Sequence, residues 1–265
     1  MATITTPTAG RAASTLVVGK RAVLRYLRTP QLIVLGTIQG AMFLFIFRYV
    51  FGGAIAIGGI PYVDFLVPGF VTAGLLFTGM GAATAMAEDL EQGFIDRLRS
   101  LPIPRSSVLA GRAIADTVWA AWGLGVSVAI GFAVGFRLHG SVPNALAAVA
   151  LCIVFAFAFE WLFITMGLFA GNAQAAQGMA LLVFPLSFVS SAYVPVESMP
   201  GWMQAFAQYQ PLTYMVDAVR ALTQGARAEA LLGHPAAYFM TRSLLWAAGI
   251  VVVFAPLAVA RYRRG

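Results

Sequence analysis

The stretch 65–105, FLVPGFVTAGLLFTGMGAATAMAEDLEQGFIDRLRSLPIPR, decides how this chain folds. Residues 65–87 carry no charged side chain, and a bilayer core takes about 20 mostly apolar residues per helical span. Then comes an island, Glu88 to Arg105, before the chain turns apolar again near 108. Glu88, Asp89, Glu91, Gln92, Asp96, Arg97, Arg99, Ser100 and Arg105 could hardly sit in hydrocarbon. Gly93 and the Pro102-x-Pro104 stop give the island defined ends, so its reading is a short helix and not a disordered spacer. A polar loop of this length between apolar runs is where a soluble partner docks.

Composition says the same of the whole chain. Its 265 residues are 60% hydrophobic and 10% charged, with a mean hydropathy of +0.83, whereas soluble domains carry roughly 25% charged residues. The pI near 10.1 does not point to nucleic acid, because the basic residues sit at the ends of apolar runs, where they orient a membrane protein. Cys152 is the single cysteine and excludes an intrachain disulfide or a cysteine-cluster metal site. Residues 1–15 are polar and small, and the first apolar run starts only near Gln31, so no cleavable signal peptide is expected.

Outward from the island the chain reads as six spans, near 31–51, 65–87, 108–136, 144–169, 176–194 and 240–260. The third and fourth exceed what a bilayer requires, which implies tilt or extension beyond it. Pro185 predicts a kink in the fifth. Ahead of the spans, in residues 13–29, Lys20, Arg21, Arg25 and Arg28 fall within an arc of roughly 140° at about 100° per residue. That pattern predicts an interfacial helix on an anionic leaflet. With both termini in the cytosol, twelve of the seventeen Lys and Arg residues lie on the inner side; Arg48, Arg137, Arg220, Arg227 and Arg242 remain outside. The expectation is therefore an all-α, multi-pass membrane domain over 1–265, with the termini and the island cytoplasmic.

Between spans five and six, residues 195–239 are semi-apolar, with Trp202, Phe206, Tyr209 and Tyr214. Pro200 and Pro211 each stand where a short helix would begin. Helices of about ten residues are too short to span; they predict a re-entrant hairpin in the outer leaflet, with Trp202 and Phe206 shielded and Gly225 and Ala228 in water. Asp217 and Arg220, three residues apart, could pair with each other or clamp the hairpin to the span ends, with Arg48 and Asp64 as alternative counter-charges. If so, reversing both charges should be milder than replacing either.

No catalytic constellation is visible. His139 and His234 fall in separate outer loops and read as surface residues. Gly19-Lys20 is not a phosphate-binding loop, since Ser14 occupies the required glycine position and Arg21 that of Ser/Thr. No cofactor is expected on this chain. Glu160, beside Trp161 in the fourth span, is a costly membrane carboxylate: it could bind a cationic cargo, couple protons, or bond to a neighbouring helix. Asp116 stands four residues after Arg112, so a local ion pair is the simpler account there.

The basic N-terminal helix, the six spans, the Gly93-to-Arg105 run GFIDRLRSLPIPR and the outer segment with QPLTY (210–214) before Asp217 and Arg220 together resemble the membrane subunit of ABC type-2 exporters. The likeness is greatest to the daunorubicin-resistance permease group. It implies a dimer of permeases energised by a separate cytosolic ATPase that holds ATP and Mg, in a bacterial plasma membrane. It implies that Glu88, Gly93, Asp96, Arg97 and Arg99 belong to a coupling helix seated on that ATPase. It also implies a path at the dimer interface for an amphipathic drug, antibiotic or lipid, with Phe70, Phe77, Phe184, Phe188 and Glu160 as candidates along it. Trp202, Pro211, Tyr214, Asp217 and Arg220 would form the outer hairpin. A proton-coupled carrier using Glu160 and a non-transporting scaffold are the alternatives; the first usually carries inverted repeats, and none is visible.

Overall fold

The computed structural model describes residues 30–53, 55, 57–99 and 105–264. The interfacial helix expected over 13–29 and the Pro102-x-Pro104 stop lie outside the described residues, as do the side chains of Asp96 and Arg99. The described chain is helical throughout. Helix α1 (Pro30–Phe45) ends in a π-helical turn, Ile46–Phe51. Then follow α2 (Tyr62–Glu91), α3 (Phe94–Arg99), α4 (Arg105–Ala133), α5 (Val142–Ala170), α6 (Ala173–Leu181) and α7 (Phe184–Phe188). After a 3₁₀ turn at Val196–Ser198 come α8 (Gly201–Ala207), α9 (Pro211–Gln224), α10 (Ala226–Leu232) and α11 (Ala236–Arg264).

Among the described residues five helices are long and apolar enough to cross a membrane, within α1 with its π-turn, α2, α4, α5 and α11. They match the first four and the last of the expected spans. At 29 residues α5 is roughly 43 Å long, well beyond a ~30 Å hydrocarbon core. The fifth expected span is not one helix: it breaks between Leu181 and Phe184, and the chain beyond Phe188 leaves helical geometry. Pro185 is the cause. It has no N–H to donate and its ring crowds the carbonyl four residues back, that of Leu181, where α6 stops.

Helices α2 and α5 form the centre. Helix α2 packs on α4, α5, α6 and α9, and α5 also carries α11. The α2–α5 crossing is close because of Gly79, seated against the Phe163 ring, and Gly167, seated against the Ala83 carbonyl. By contrast α1 is barely covered: Leu44 is its only fully buried described side chain, while Val34, Leu35, Ile38 and Met42 are exposed. Two ends can be distinguished. The end of α2, α3, the start of α4, the end of α5 and the tail of α11 share one apolar cluster, with Ile95, Val108, Leu109, Leu168 and Tyr262 in it. The start of α2, the α4–α5 loop and α9 meet at the other end.

Candidate functional site

At the loop end, Gly93 takes a left-handed φ of +64°, which only glycine adopts freely, and its N–H donates to the Leu90 carbonyl at 3.0 Å. This turn re-aims the chain from α2 into α3. Ile95 is buried under α3, whereas Arg97 is exposed and Glu88 half-buried. So α3 is a separate short helix in which Ile95 is buried and Arg97 is exposed. Glu91 Oε1 accepts from the Ala173 N–H at 3.3 Å, placing an anion at the start of α6.

Below this turn lies a buried charge cluster. Arg112 Nη1 donates to Asp89 Oδ2 and its Nε to Asp116 Oδ2, both at 2.7 Å. The Arg112–Asp116 pair is the one the spacing predicts; Asp89, twenty-three residues before Arg112, could not be found by spacing. Glu160 is 1% exposed and sits in the field of Asp116 and Arg112. Its Oε2 has no hydrogen-bond partner among the described residues. The carboxylate thus faces this cluster, apart from the phenylalanines with which it was grouped.

Those phenylalanines do come together in part. Phe77 and Phe184 have ring centroids 5.4 Å apart, Phe184 and Phe188 5.1 Å, and the row continues through Tyr193 (5.0 Å) to Phe47 (4.8 Å). Phe77 and Phe188 keep more than a third of their surface exposed. Phe70 lies on α2 facing Gly40 of α1. Tyr193 and Phe47 belong to this row and were not singled out from sequence.

At the opposite end, Arg220 is completely buried and fully used. Its Nη1 donates to Asp217 Oδ1 at 2.7 Å, its Nη2 to the Ser191 carbonyl at 2.7 Å, and Nε and Nη2 to the Phe65 carbonyl at 3.2 and 3.1 Å. The guanidinium also lies 3.6 Å over the Phe65 ring. Ser191 Oγ donates to Asp217 Oδ1 at 2.7 Å. Burial pushes the Asp217 carboxyl up to about 6 and the Arg220 guanidinium down to about 10, each opposed by the other's charge. Asp217 and Arg220 therefore pair with each other, and the alternative counter-charges fall away. Asp64 instead accepts the Arg137 N–H at 2.9 Å. His139 is exposed, as expected from the sequence, and its Nδ1 faces the Gln224 Oε1 at 3.0 Å and the Arg137 carbonyl at 3.1 Å.

The segment 195–239 differs from the expected hairpin in the burial of α9 and of Ala228. Helix α9 is fourteen residues long and every residue from Leu212 to Gln224 is buried, Tyr214 included, against α2, α5 and α11. Its apolar residues, Leu212, Met215, Val216 and Val219 among them, join the main core, and its charged residues are buried as the Asp217–Arg220 pair, so it packs inward. Pro211 opens it, as its fixed φ suits. Helix α8, with Trp202 and Phe206 exposed, and Tyr209 just after it, stay on the surface of the bundle. Ala228 is fully buried beneath α10, so it is not a water-exposed position.

Comparison with known proteins gives one family. Residues 13–223 match the family model of the ABC-2 type transporter. The daunorubicin resistance ABC transporter permease protein DrrB1 of Streptomyces coeruleorubidus is 31% identical over 244 residues, covering 92% of this chain and 83% of the relative. The probable doxorubicin resistance ABC transporter permease protein DrrC of Mycobacterium tuberculosis (strain CDC 1551 / Oshkosh) is 30% identical, covering 75% and 69%. The putative transport permease ycf38 of Cyanophora paradoxa is 25% identical, covering 77% and 71%.

Proposed function

Because this chain belongs to the ABC-2 type transporter family, and is thus the membrane permease subunit of a transporter whose ATP hydrolysis resides in a separate subunit, we propose that α3 is where that ATPase docks. The observation that carries this reading is α3 itself: a short helix, turned off α2 at Gly93, anchored by Ile95 and showing Arg97 to solvent. Glu88, Gly93, Asp96, Arg97 and Arg99 form the coupling surface, and the partner holds ATP and Mg. Both termini and α3 lie in the cytosol of a bacterial cell, with the protein in the plasma membrane; the shared cluster of Ile95 and Tyr262 supports α3 and the C-terminal helix lying on one side.

The cargo is an amphipathic drug, antibiotic or lipid, exported past the row of Phe77, Phe184 and Phe188 with Phe70 above it. The names of the relatives, which speak of daunorubicin and doxorubicin resistance, support this class. A second permease copy faces the uncovered side of α1, where Val34, Leu35, Ile38 and Met42 stand exposed, and lipid covers the rest. Helix α8, led by Trp202, rests at the outer membrane interface, while Pro211, Tyr214, Asp217 and Arg220 hold α9 beneath it. Glu160 serves the buried charge cluster and not the cargo.

Replacing Asp96, Arg97 and Arg99 together by alanine tests the docking role. The expected result is normal insertion with loss of ATPase copurification and of cargo-stimulated hydrolysis. Unchanged copurification and turnover would refute it.

A further inference from the structure

The polar loop leaves the bundle at the end of α2 and returns at the start of α4, and the buried side chain of Arg112 ties those two roots together. Arg112 is 8% exposed and donates to Asp89 on α2 and to Asp116 on α4, both at 2.7 Å. Asp89 precedes α3 by five residues. The apolar contacts run the same way: Ile95 of α3 shares its cluster with Val108 and Leu109, one turn before Arg112, and with Met86, one turn before Asp89. Two carboxylates on one guanidinium, at this depth, make a joint that resists separation, because parting Asp89 from Arg112 would leave a charge buried without its partner. A push on α3 therefore cannot be absorbed by the loop roots sliding apart; it must displace α2 and α4 together.

We propose that Arg112, clasped between Asp89 and Asp116, is a positioning residue that passes movement of the short helix Phe94–Arg99 to the spans α2 and α4. This rests on α3 being the ATPase-docking helix. Asp89, Arg112 and Asp116 are all buried within the bundle, so loss of the clasp separates docking from coupling. Arginine is required because its planar fork holds two carboxylates at once, which an ammonium point charge does poorly.

The test uses the full permease co-expressed with its cognate ATPase in proteoliposomes. R112A is expected to keep ATPase copurification yet lose cargo-stimulated hydrolysis about tenfold, a factor equal to ~1.4 kcal/mol of coupling. R112K should fall between R112A and the native chain. The exchange D89R with R112D keeps one cation and two carboxylates in the cluster, with the charge pair across α2 and α4 restored, and should recover at least half of the stimulation, which a role confined to local helix stability would not give. Stimulation within twofold of native in R112A, or an exchange variant no better than R112A, overturns the proposal. So does failure of all three variants to yield monodisperse protein, which would make the clasp a folding element only. Loss of copurification in R112A would overturn it too, by making the clasp part of docking. If instead the α3 triple-alanine variant still binds and stimulates the ATPase, it is the docking assignment that fails.

Discussion

Arg220 is the side chain on which the end of the bundle opposite α3 turns. Every donor direction it uses ends on a buried acceptor: the Asp217 carboxylate, the Phe65 carbonyl and the Ser191 carbonyl. R220A strands the buried Asp217 carboxylate, a loss on the order of 3–5 kcal/mol, read as a fall in the thermal midpoint of the detergent-purified protein. The spacing of Asp217 and Arg220 alone suggests that reversing both charges is mild. The structure reverses that expectation, since a carboxylate at position 220 would face two carbonyl oxygens; D217R with R220D should be no better than R220A. The pH dependence follows from the same pair. The Asp217 carboxyl holds its proton up to about 6 in the fold, against an ordinary value of 3.8. The folded state thus binds that proton more tightly than the unfolded chain. Its contribution to stability is fully present below about 3.8 and is lost as pH rises through about 6. The difference in thermal midpoint between the native protein and D217N, measured from pH 4 to pH 7, should trace that window. At Glu160, Glu160→Gln preserves shape and hydrogen bonding, so export should stay within about threefold of native, a change worth less than ~1 kcal/mol. A loss confined to cationic cargo would return Glu160 to the path.

Among the elements, the break between α6 and α7 and the tight α2–α5 crossing make separate demands. P185A restores an N–H and removes the ring from the Leu181 carbonyl, so the two short helices should fuse. The fused helix is expected to raise the thermal midpoint and to slow export, because the row Phe77–Phe184–Phe188 depends on the bend. A more stable variant with undiminished export would show the bend to be dispensable. At the crossing, a methyl on Gly167 would meet the Ala83 carbonyl, which is backbone and cannot swing away. G167A should cost about 1–3 kcal/mol, while G74A, with open space at its Cβ, should be nearly neutral on the same assay. The long apolar helices and the Pro185 interruption were legible in the sequence, because length and proline chemistry act locally. The depth of α9 was not: the sequence places its charged pair in a shallow hairpin, whereas Phe65 and Ser191 cover it in the fold.

For the whole molecule, sidedness and division of labour are what can be measured. The single native cysteine, Cys152, is buried, so introduced cysteines can be read against a quiet background. R227C, at an exposed position of α10, should react rapidly with a membrane-impermeant maleimide applied outside whole cells. A228C should not react, being packed; W202C should react slowly if α8 rests at the interface; R97C should react only after permeabilisation. Rapid reaction of W202C would place α8 in water, and reaction of R97C in intact cells would invert the topology.

The sequence by itself determined that this is a multi-pass helical membrane protein with a charged, polar loop after its second span. Hydrocarbon tolerates few charges, and the side on which Lys and Arg collect is a property of composition along the chain. The family likeness, too, lay in contiguous motifs. Only the tertiary structure decided which charges meet. Asp89 and Arg112 are separated by the loop they clasp, and Arg220 finds Phe65 across 155 residues. Such partners are chosen by how helices pack, because a buried charge is stable only where packing delivers its counter-charge and acceptors.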